Sequence, residues 1–579
     1  LAWDDVEVSR DPLAGVHAVA TPPPPLTTEQ TAAWEAIRPA LEARRHDTFL
    51  LHGVTGSGKT EVYLHAVART LKLGRGALVL VPEIALTPQT VQRFLSRFPG
   101  RVGLLHSGLS EGERYDTWRR CRSGEIDVVI GARSALFAPL ADIGLIVLDE
   151  AHDDSFKEQE HPPRYHARQA AQAYAQRLSA VCLLGTATPD IVTYARAERG
   201  EVRLLRLPQR ILGHRSQLAE EAARLRVSPR YRDLESEASA IDLPAVDVID
   251  MRQELRAGNR SLFSRALDRA LTQTLEAGHQ AILFLNRRGT ATYVFCRDCG
   301  WAARCPRCRT PLTFHQAGAD LVCHHCGYRR SRPTRCPNCR GTRVREFGAG
   351  TQRIQSEVEA RYPAARTLRW DWDVTRRKGS HDVILAHFAA HRADVLIGTQ
   401  MLAKGLDLPL VTLVGVVSAD TGLHLPDYRA AERTFQVLSQ VAGRAGRGLL
   451  GGRVILQTFH PEHHAIRAAA AHDYEAFYRE ELAQRRGLAY PPFNRLVRLV
   501  GSRPNDARAE REGKTLAQRM RREAATGSVE IIGPVPCFYS RRRGLARWQI
   551  VLKGPDPAPV VPPDLPEGWT IDVDPVSLL

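Results

Sequence analysis

Gly53-Val54-Thr55-Gly56-Ser57-Gly58-Lys59-Thr60 is the stretch whose reading decides the fold. The apolar run Thr48–Leu51 leads into it. Glu61–Ala68 follows, with Val62, Leu64, Ala66 and Val67 at helical spacing, so the order is strand, glycine loop, helix. Gly53, Gly56 and Gly58 let the backbone turn tightly, so that successive N–H groups and the positive end of the helix surround an anionic phosphate. Lys59 then reaches the β and γ phosphates of a nucleoside triphosphate, and the Thr60 hydroxyl is placed to ligate Mg²⁺. The residues expected on the nucleotide are therefore Gly53, Thr55, Gly56, Ser57, Gly58, Lys59 and Thr60. The competing reading is a glycine-rich turn that binds nothing. It loses because every defining position is present in a strand–loop–helix context.

Several apolar runs continue the pattern: Ala77–Val81, Val102–Leu105, Ile126–Ile130, Gly144–Leu148 and Val181–Leu184. Separated by helical stretches, they argue a parallel sheet with helices on both faces. Gly144–Leu148 ends in Asp149-Glu150-Ala151-His152, a carboxylate pair at the carboxyl end of a buried strand, which such a sheet sets beside the phosphate loop. Asp149 can hold Mg²⁺ through water, and Glu150 can orient and deprotonate the attacking water. His152 is either a coupling residue or a polar group at a helix start. The hydroxyls of Gly185-Thr186-Ala187-Thr188-Pro189 are placed to sense the nucleotide and pass its state to His152. Ahead of the loop, Leu26-Thr27-Thr28-Glu29-Gln30 opens a helix with Thr as its N-cap. Residues 1–25 end in a proline run, Pro22–Pro25, and read as a stiff linker. The chain begins at Leu1, not Met, which leads us to expect an attached N-terminal part.

At 579 residues the chain is too long for one core and should hold roughly three or four domains. Its formal charge of +16 favours a polyanionic partner through counterion release, although basic surfaces also serve only solubility. No apolar run spans a bilayer and nothing near Leu1 resembles a signal peptide, so the expectation is a cytoplasmic protein with no membrane partner. Of the 11 cysteines, eight stand in CxxC pairs: Cys296/Cys299, Cys305/Cys308, Cys323/Cys326 and Cys336/Cys339. In a cytoplasmic setting this means metal, with two knuckles closing each tetrahedral thiolate site and hence two Zn²⁺ ions. The inner pairs, 305/308 and 323/326, have the spacing of a short hairpin, and the outer pairs would clamp its base. Pairing of 296/299 with 305/308 also satisfies the sequence. His324 and His325 are expected to be surface residues beside a full set of thiolates, and Cys121, Cys182 and Cys537 to be core fillers.

These motifs together resemble superfamily 2 helicases of the DEAH type. More narrowly, Val81-Pro-Glu-Ile-Ala-Leu-Thr-Pro88, Gly131-Ala-Arg-Ser134, Ser155-Phe-Lys-Glu-Gln-Glu160 and Arg164-Tyr-His-Ala-Arg168 are similar to those of the PriA family of bacterial primosomal helicases (primosomal protein N′). The resemblance implies that Gln30 reads the edges of adenine. It gives Phe156, Tyr165 and His166 the role of stacking on bases, and it agrees with the nested cysteine pairing. Departures are Asp-Glu-Ala-His where Asp-Glu-Glu-His is also common, Gln169 for Asp, Gln352 for Glu and Trp372 for Arg.

The second lobe begins with Ala245–Ile249 and Ala281–Leu285, is interrupted by the cysteines, and resumes at Gly348-Ala-Gly-Thr-Gln352. It ends in Gln440-Val-Ala-Gly-Arg-Ala-Gly-Arg447, where Arg444 and Arg447 stand three apart at the expected start of a helix. In two-lobed motors such arginines stabilise the phosphoryl transition state. Tyr490–Asn494 resembles a family turn. Arg541–Arg543 near Trp548 suit a DNA surface, with a buried Trp and solvated arginines as the alternative.

The expected architecture is α/β, with two RecA-like parallel-sheet lobes at 26–210 and 244–460 after a tail at 1–25. A polar insertion or linker occupies 211–243, and its charge-rich stretch Arg215–Ala240 is expected to be an exposed helix or flexible loop with no assigned function. A zinc-binding insert at 296–342 interrupts the second lobe, and a C-terminal α+β domain covers 461–579. The DNA-binding and winged-helix regions that the family carries ahead of the motor are not expected within these 579 residues. The resemblance implies an ATP-dependent 3′-to-5′ DNA helicase or translocase that recognises stalled or branched forks and starts primosome assembly. Its partners would be forked and single-stranded DNA, single-strand-binding protein and helicase-loading proteins. A fork-binding scaffold with weak or no unwinding is the rival.

Overall fold

The computed structural model describes residues 10–15, 19–82, 88–214, 218, 232–233, 238–286, 292–308, 310–315, 320–346, 350–371, 380–399, 402, 408, 410–446, 448, 450–524 and 527–579. The chain divides near Leu243 and Pro244 into two compact units.

The first unit is built on seven strands: β1 (Asp47–Gly53), β2 (Gly76–Leu80), β3 (Val102–Leu105), β4 (Val128–Gly131), β5 (Ile143–Leu148), β6 (Val181–Thr186) and β7 (Arg203–Leu207). They lie in the order β3-β4-β2-β5-β6-β1-β7, every pair parallel. β2, β5 and β6 are buried from end to end, as strands covered on both faces must be, which is why they read as unbroken apolar runs. On one face, Ala33 and Ile37 of the helix Thr28–Glu42 and Val62 and Val67 of the helix Lys59–Lys72 pack against Phe49, Leu51, Val79 and Val147. Thr27 starts the first of these helices through a capping box with Gln30. Because all seven strands run the same way, the segments after β1, β5 and β6 emerge at one edge of the sheet. β6 lies between β1 and β5, so the glycine loop and the carboxylate pair flank the Gly185–Pro189 segment.

The 211–243 segment differs at its ends from the exposed helix or loop expected of it. Ile211–His214 (β8), Arg232–Asp233 (β9) and Ala238–Ala240 (β10) form a small antiparallel sheet, order β8-β10-β9. Ala238, Ser239 and Ala240 are buried. The small side chains at 238–240 allow that close approach, which the polar composition of the intervening residues concealed. Most of that intervening stretch lies outside the described residues.

The second unit holds three sheets. One contains β11 (Ala245–Asp250), β12 (Gln280–Leu285), β18 (Thr367–Trp370), β19 (Val395–Gly398), β20 (Val411–Ser418) and β21 (Arg453–Thr458), in the parallel order β11-β21-β20-β12-β19-β18. Between β12 and β18 in sequence comes an antiparallel insert of β13 (Thr292–Cys296), β14 (Thr313–His315), β15 (Asp320–Val322), β16 (Arg329–Ser331) and β17 (Val344–Glu346). The C-terminal part is an antiparallel sheet, β23-β24-β22-β25, of β22 (Arg495–Arg503), β23 (Glu530–Arg542), β24 (Leu545–Gly554) and β25 (Trp569–Val573). The helix Asp506–Glu523 covers it with Leu516, Ala517 and Met520. The architecture is thus α/β, with two RecA-like parallel sheets, the cysteine-rich insert inside the second, and a C-terminal α+β domain. No helix among the described residues is long and apolar enough to cross a membrane.

Candidate functional site

At the carboxyl edge of the first sheet, the glycine loop is held from several sides. Gly58 has φ +75°, and a β-carbon there would run into the Gln30 amide, so only glycine fits. Gln30 Nε2 donates to Ser57 O at 3.1 Å and to Gly58 O at 3.4 Å, while its Oε1 accepts from Thr27 N–H at 3.0 Å. Ile211 N–H donates to Gly56 O at 2.9 Å, so β8 braces the loop tip, a role for this segment that the sequence did not suggest. Lys59 Nζ donates to Gly53 O at 2.8 Å and to Val54 O at 3.4 Å. The ammonium therefore rests on loop carbonyls, where an anion could replace them as its partner.

The carboxylates are set by a residue that the sequence reading did not single out. Tyr63 lies on the helix after the loop, is buried, and donates its hydroxyl to Asp149 Oδ1 at 3.0 Å. Gly185 makes room for that hydroxyl, since a β-carbon there would collide with it. Burial pushes the Asp149 carboxyl up to about 6, with Glu150 pushing the same way and Lys59 and Tyr63 opposing. Glu150 has φ +48°, a left-handed conformation that costs a residue with a β-carbon on the order of 1–3 kcal/mol and persists only where its surroundings impose it. Ala151 N–H bonds Gly185 O at 2.9 Å and Asp153 N–H bonds Glu150 O at 2.8 Å, which fixes the turn. Two buried oxygens, Ser57 Oγ and Glu150 Oε2, have no hydrogen-bond partner among the described residues. His152 Nδ1 lies 3.6 Å from Glu150 Oε2, beyond hydrogen-bond reach. Orphaned buried oxygens beside a lysine and two carboxylates suit a phosphate with a hydrated divalent cation.

His152 Nδ1 and Thr186 Oγ1 share a hydrogen bond of 2.7 Å, and Thr188 N–H donates to Thr186 Oγ1 at 3.0 Å. The contact ties the 149–152 box to the Gly185–Pro189 segment. Arg133, from the 131–134 motif, donates to Lys157 O and Glu158 Oε2, both at 2.7 Å, which joins two motifs 25 residues apart. Arg168 donates to Ala151 O at 3.1 Å and pairs with Asp190. The stacking set fares differently. Phe156 is fully buried and His166 caps a helix by accepting from Arg168 N–H, so neither presents a free ring. Tyr165, partly exposed, packs edge-on against Phe137, which is 61% exposed.

In the second unit the cysteines fall into two groups, Cys296, Cys299, Cys336, Cys339 and Cys305, Cys308, Cys323, Cys326. This is the nested arrangement. Sulfur separations are 3.6 Å for Cys296–Cys339 and Cys299–Cys336, and 3.5 Å for Cys305–Cys326. A tetrahedral zinc with Zn–S of about 2.3 Å requires sulfurs about 3.8 Å apart, so the donor set fits zinc. Three of the four knuckles show the backbone bond that shapes them: Gly300 N–H bonds Cys296 O at 2.9 Å, Gly327 N–H bonds Cys323 O at 3.0 Å, and Arg340 N–H bonds Cys336 O at 2.9 Å. The cysteines themselves make up much of the insert's core.

The two histidines inside the second inner knuckle, between Cys323 and Cys326, are engaged by the C-terminal domain instead of standing free on the surface. His324 is buried and bonds Pro536 O at 3.0 Å, and His325 shares 2.7 Å with the Tyr490 hydroxyl. They dock the insert on the C-terminal domain, a long-range use that spacing alone does not reveal. Trp548 is also buried, donating Nε1 to Asp506 at 3.2 Å, with Arg541, Arg542 and Arg543 exposed beside it. Cys121, Cys182 and Cys537 are buried as core residues. Arg444 differs from expectation in its setting. The helix Ala430–Ala442 ends at Gly443, and Arg444 follows in the turn instead of opening a helix, because the Gly443–Gly446 segment brings two glycines, one at φ +61°. Arg447 lies outside the described residues, as do Glu83–Thr87 and 372–379.

Family profiles match this geometry: DEAD/DEAH box helicase at residues 27–196, helicase conserved C-terminal domain at 365–448, PriA DNA helicase Cys-rich region at 305–330, and primosomal protein N C-terminal domain at 486–576. The chain is 46% identical over 547 residues to replication restart protein PriA of Bacillus subtilis strain 168, covering 94% of this chain and 64% of that protein. It is 42% identical over 571 residues to the protein of that name from Synechocystis, covering 96% and 66%. With that of Treponema pallidum it shares 40% identity over 565 residues, covering 96% and 80%. The chain spans about two thirds of the length of the first two of these relatives, 64% and 66%. Identity of this level, across both lobes, the cysteine insert and the C-terminal sheet together, places the chain in the PriA family of replication restart proteins.

Proposed function

We propose that this chain is an ATP-dependent DNA helicase and translocase of 3′-to-5′ direction that recognises stalled or branched replication forks and initiates primosome assembly. The observation that carries the reading is the gathering of Lys59, Asp149 and Glu150 at one sheet edge, with Asp149 held by Tyr63, in a chain of this family. Its proposed setting is the cytoplasm. Its proposed partners are forked and single-stranded DNA, single-strand-binding protein and helicase-loading proteins.

In this reading the N–H groups from Gly53 to Gly58, with Thr55 and Ser57, wrap the phosphates, and Lys59 exchanges its loop carbonyls for β and γ phosphate oxygens. Gln30, whose amide rests on Ser57 O and Gly58 O, would exchange one of these carbonyls for an edge of adenine. Thr60 and Asp149 would hold Mg²⁺, which supplies charge neutralisation at the phosphates when bound. Glu150 orients the attacking water and accepts its proton as the oxygen closes on the γ-phosphorus and the bond to the β,γ-bridging oxygen breaks, leaving ADP and phosphate. Arg444 and Arg447 stabilise the charge that develops on the transferring phosphoryl group. The eight cysteines would hold two structural zinc ions. The contact between His152 and Thr186 relays the nucleotide state towards the DNA-binding surfaces.

Tyr63→Phe tests the carboxylate's setting. Removing a donor to the Asp149 carboxylate favours its protonated form, so its pKa rises further above the ordinary 3.8 than the present value of about 6. In the chain free of nucleotide and Mg²⁺, the titration of the Asp149 carboxyl, followed by NMR, is expected to move to higher pH. An unmoved titration would show that the hydroxyl does not act on Asp149.

Direction is tested with duplexes bearing a single-stranded tail at either end. A 3′-to-5′ motor loads on the 3′ tail and displaces its partner strand there, while the 5′-tailed duplex stays intact. Equal unwinding of both, or preference for the 5′ tail, overturns the direction. ATP hydrolysis without any strand separation favours the fork-binding scaffold.

A further inference from the structure

The segment after β25 is built into the second unit at its polar interior. Tyr428 donates its hydroxyl to Pro575 O at 3.1 Å. Arg429 Nη1 donates to Val576 O at 3.3 Å, and Arg433 Nη2 donates to the same oxygen. Ser577 Oγ donates to Asp427 Oδ2 at 2.6 Å, and Leu578 N–H reaches that oxygen at 3.3 Å. Leu578 packs with Tyr490, Leu496, Ile532 and Val551, and Leu579 lies against Leu425, Ala430 and Phe538. The segment thus joins the C-terminal sheet to one short stretch of the parallel-sheet lobe.

That stretch is the amino end of the helix Ala430–Ala442, and Arg444 follows its other end by two residues. Thirteen helical residues form a rod of about 20 Å, stiff enough to carry a displacement from one end to the other. Charged side chains add to the apolar packing at the amino end. Asp427 is buried and accepts from Arg433 Nη1 at 2.7 Å and Arg429 N–H at 2.9 Å in addition to the two donors from the tail. Glu432 accepts from Arg429 Nε at 2.7 Å and from Arg485 Nη2 at 2.8 Å, which ties the same helix to Tyr474–Gly487. Such a network has one low-energy arrangement when every donor is present, and it loosens when one is withdrawn.

We infer that Val576–Leu579 is a latch that sets the position of the helix Ala430–Ala442 and, through it, of Arg444, so that the C-terminal domain governs how well that arginine meets the transferring phosphate. Ser577 and Asp427 are positioning residues in this scheme. The inference rests on the proposed role of Arg444 in ATP hydrolysis. It differs from a plain stabilising role of the tail in one respect: its effect must pass through Arg444.

The test uses the full chain, the chain ending at Val576, and Ser577→Ala, which keeps both leucine anchors. Each is combined with Arg444 and with Arg444→Lys. Hydrolysis is measured at saturating single-stranded DNA, with kcat and KM for ATP separated, and zinc content reports on folding. The latch predicts a loss in kcat of roughly 2- to 30-fold, a KM for ATP near that of the full chain, and recovery in Ser577→Thr. In the Arg444→Lys background neither tail change should lower kcat further, because residues acting in series are not additive. An equal loss in both backgrounds, or an unchanged kcat beside Arg444, overturns the latch. If the truncated chain loses zinc, Ser577→Ala and its threonine rescue decide the matter. A full chain that hydrolyses no ATP fails earlier, at the proposed function, and is distinguishable from both results.

Discussion

Replacing Lys59 by Ala is expected to slow ATP hydrolysis by roughly 10²–10³-fold while leaving DNA affinity without nucleotide nearly unchanged. The ammonium is the cation whose Nζ reaches the loop carbonyls of Gly53 and Val54, and in the proposed mechanism it carries the charge opposite the β and γ phosphates. Removing it leaves the fold intact, because Gly58, Gln30 and Ile211 hold the loop independently of it. Glu150→Gln is the companion experiment. It keeps the shape of the side chain but removes the proton acceptor, so ATP should bind and persist unhydrolysed. Near-normal turnover in Glu150→Gln would remove it as the base. A collapse of DNA affinity in Lys59→Ala would make the lysine structural and weaken the motor reading.

The second large effect concerns metal. Elemental analysis of the purified chain is expected to give two zinc ions, one for each group of four thiols. Binding at such sites is worth on the order of 10–16 kcal/mol and is inseparable from folding of the region it closes. Cys305→Ser should lose the inner ion alone. The hairpin of β14 and β15 is then expected to open, and with it the docking of His324 on Pro536 and His325 on Tyr490. Hydrogen exchange across 305–326 and 490–536 would report it. The first lobe lacks these ligands, so ATP binding there should survive chelation. One ion or none in the unaltered chain, or loss of both on Cys305→Ser, would contradict the nested assignment.

Most of what the sequence revealed is local. The glycine loop, the 149–152 box and the CxxC knuckles each place their chemistry within a few residues, where one turn of backbone sets the geometry. Parallel order was legible because β2, β5 and β6 are apolar along their whole length. The rest depends on contacts distant in sequence. Tyr63 looks like an ordinary core aromatic until its hydroxyl is seen on Asp149, 86 residues away. Phe156 shares a motif with exposed residues but points inward, and periodicity cannot distinguish an aromatic that stacks on a ligand from one that packs. His324 and His325 gain partners only when the insert meets a domain more than 160 residues downstream. Arg444 follows its helix instead of opening one because Gly443 ends that helix from its carboxyl side, whereas the motif alone gives no direction.

The most direct measurement of the central claim is the rate of ATP hydrolysis by the unaltered chain with and without single-stranded DNA. A DNA-driven motor hydrolyses slowly alone and several-fold faster at saturating DNA, with the stimulation weakening as salt rises, because the contact is largely electrostatic. Hydrolysis that is absent in both conditions, or equal with and without DNA at low salt, would contradict the account.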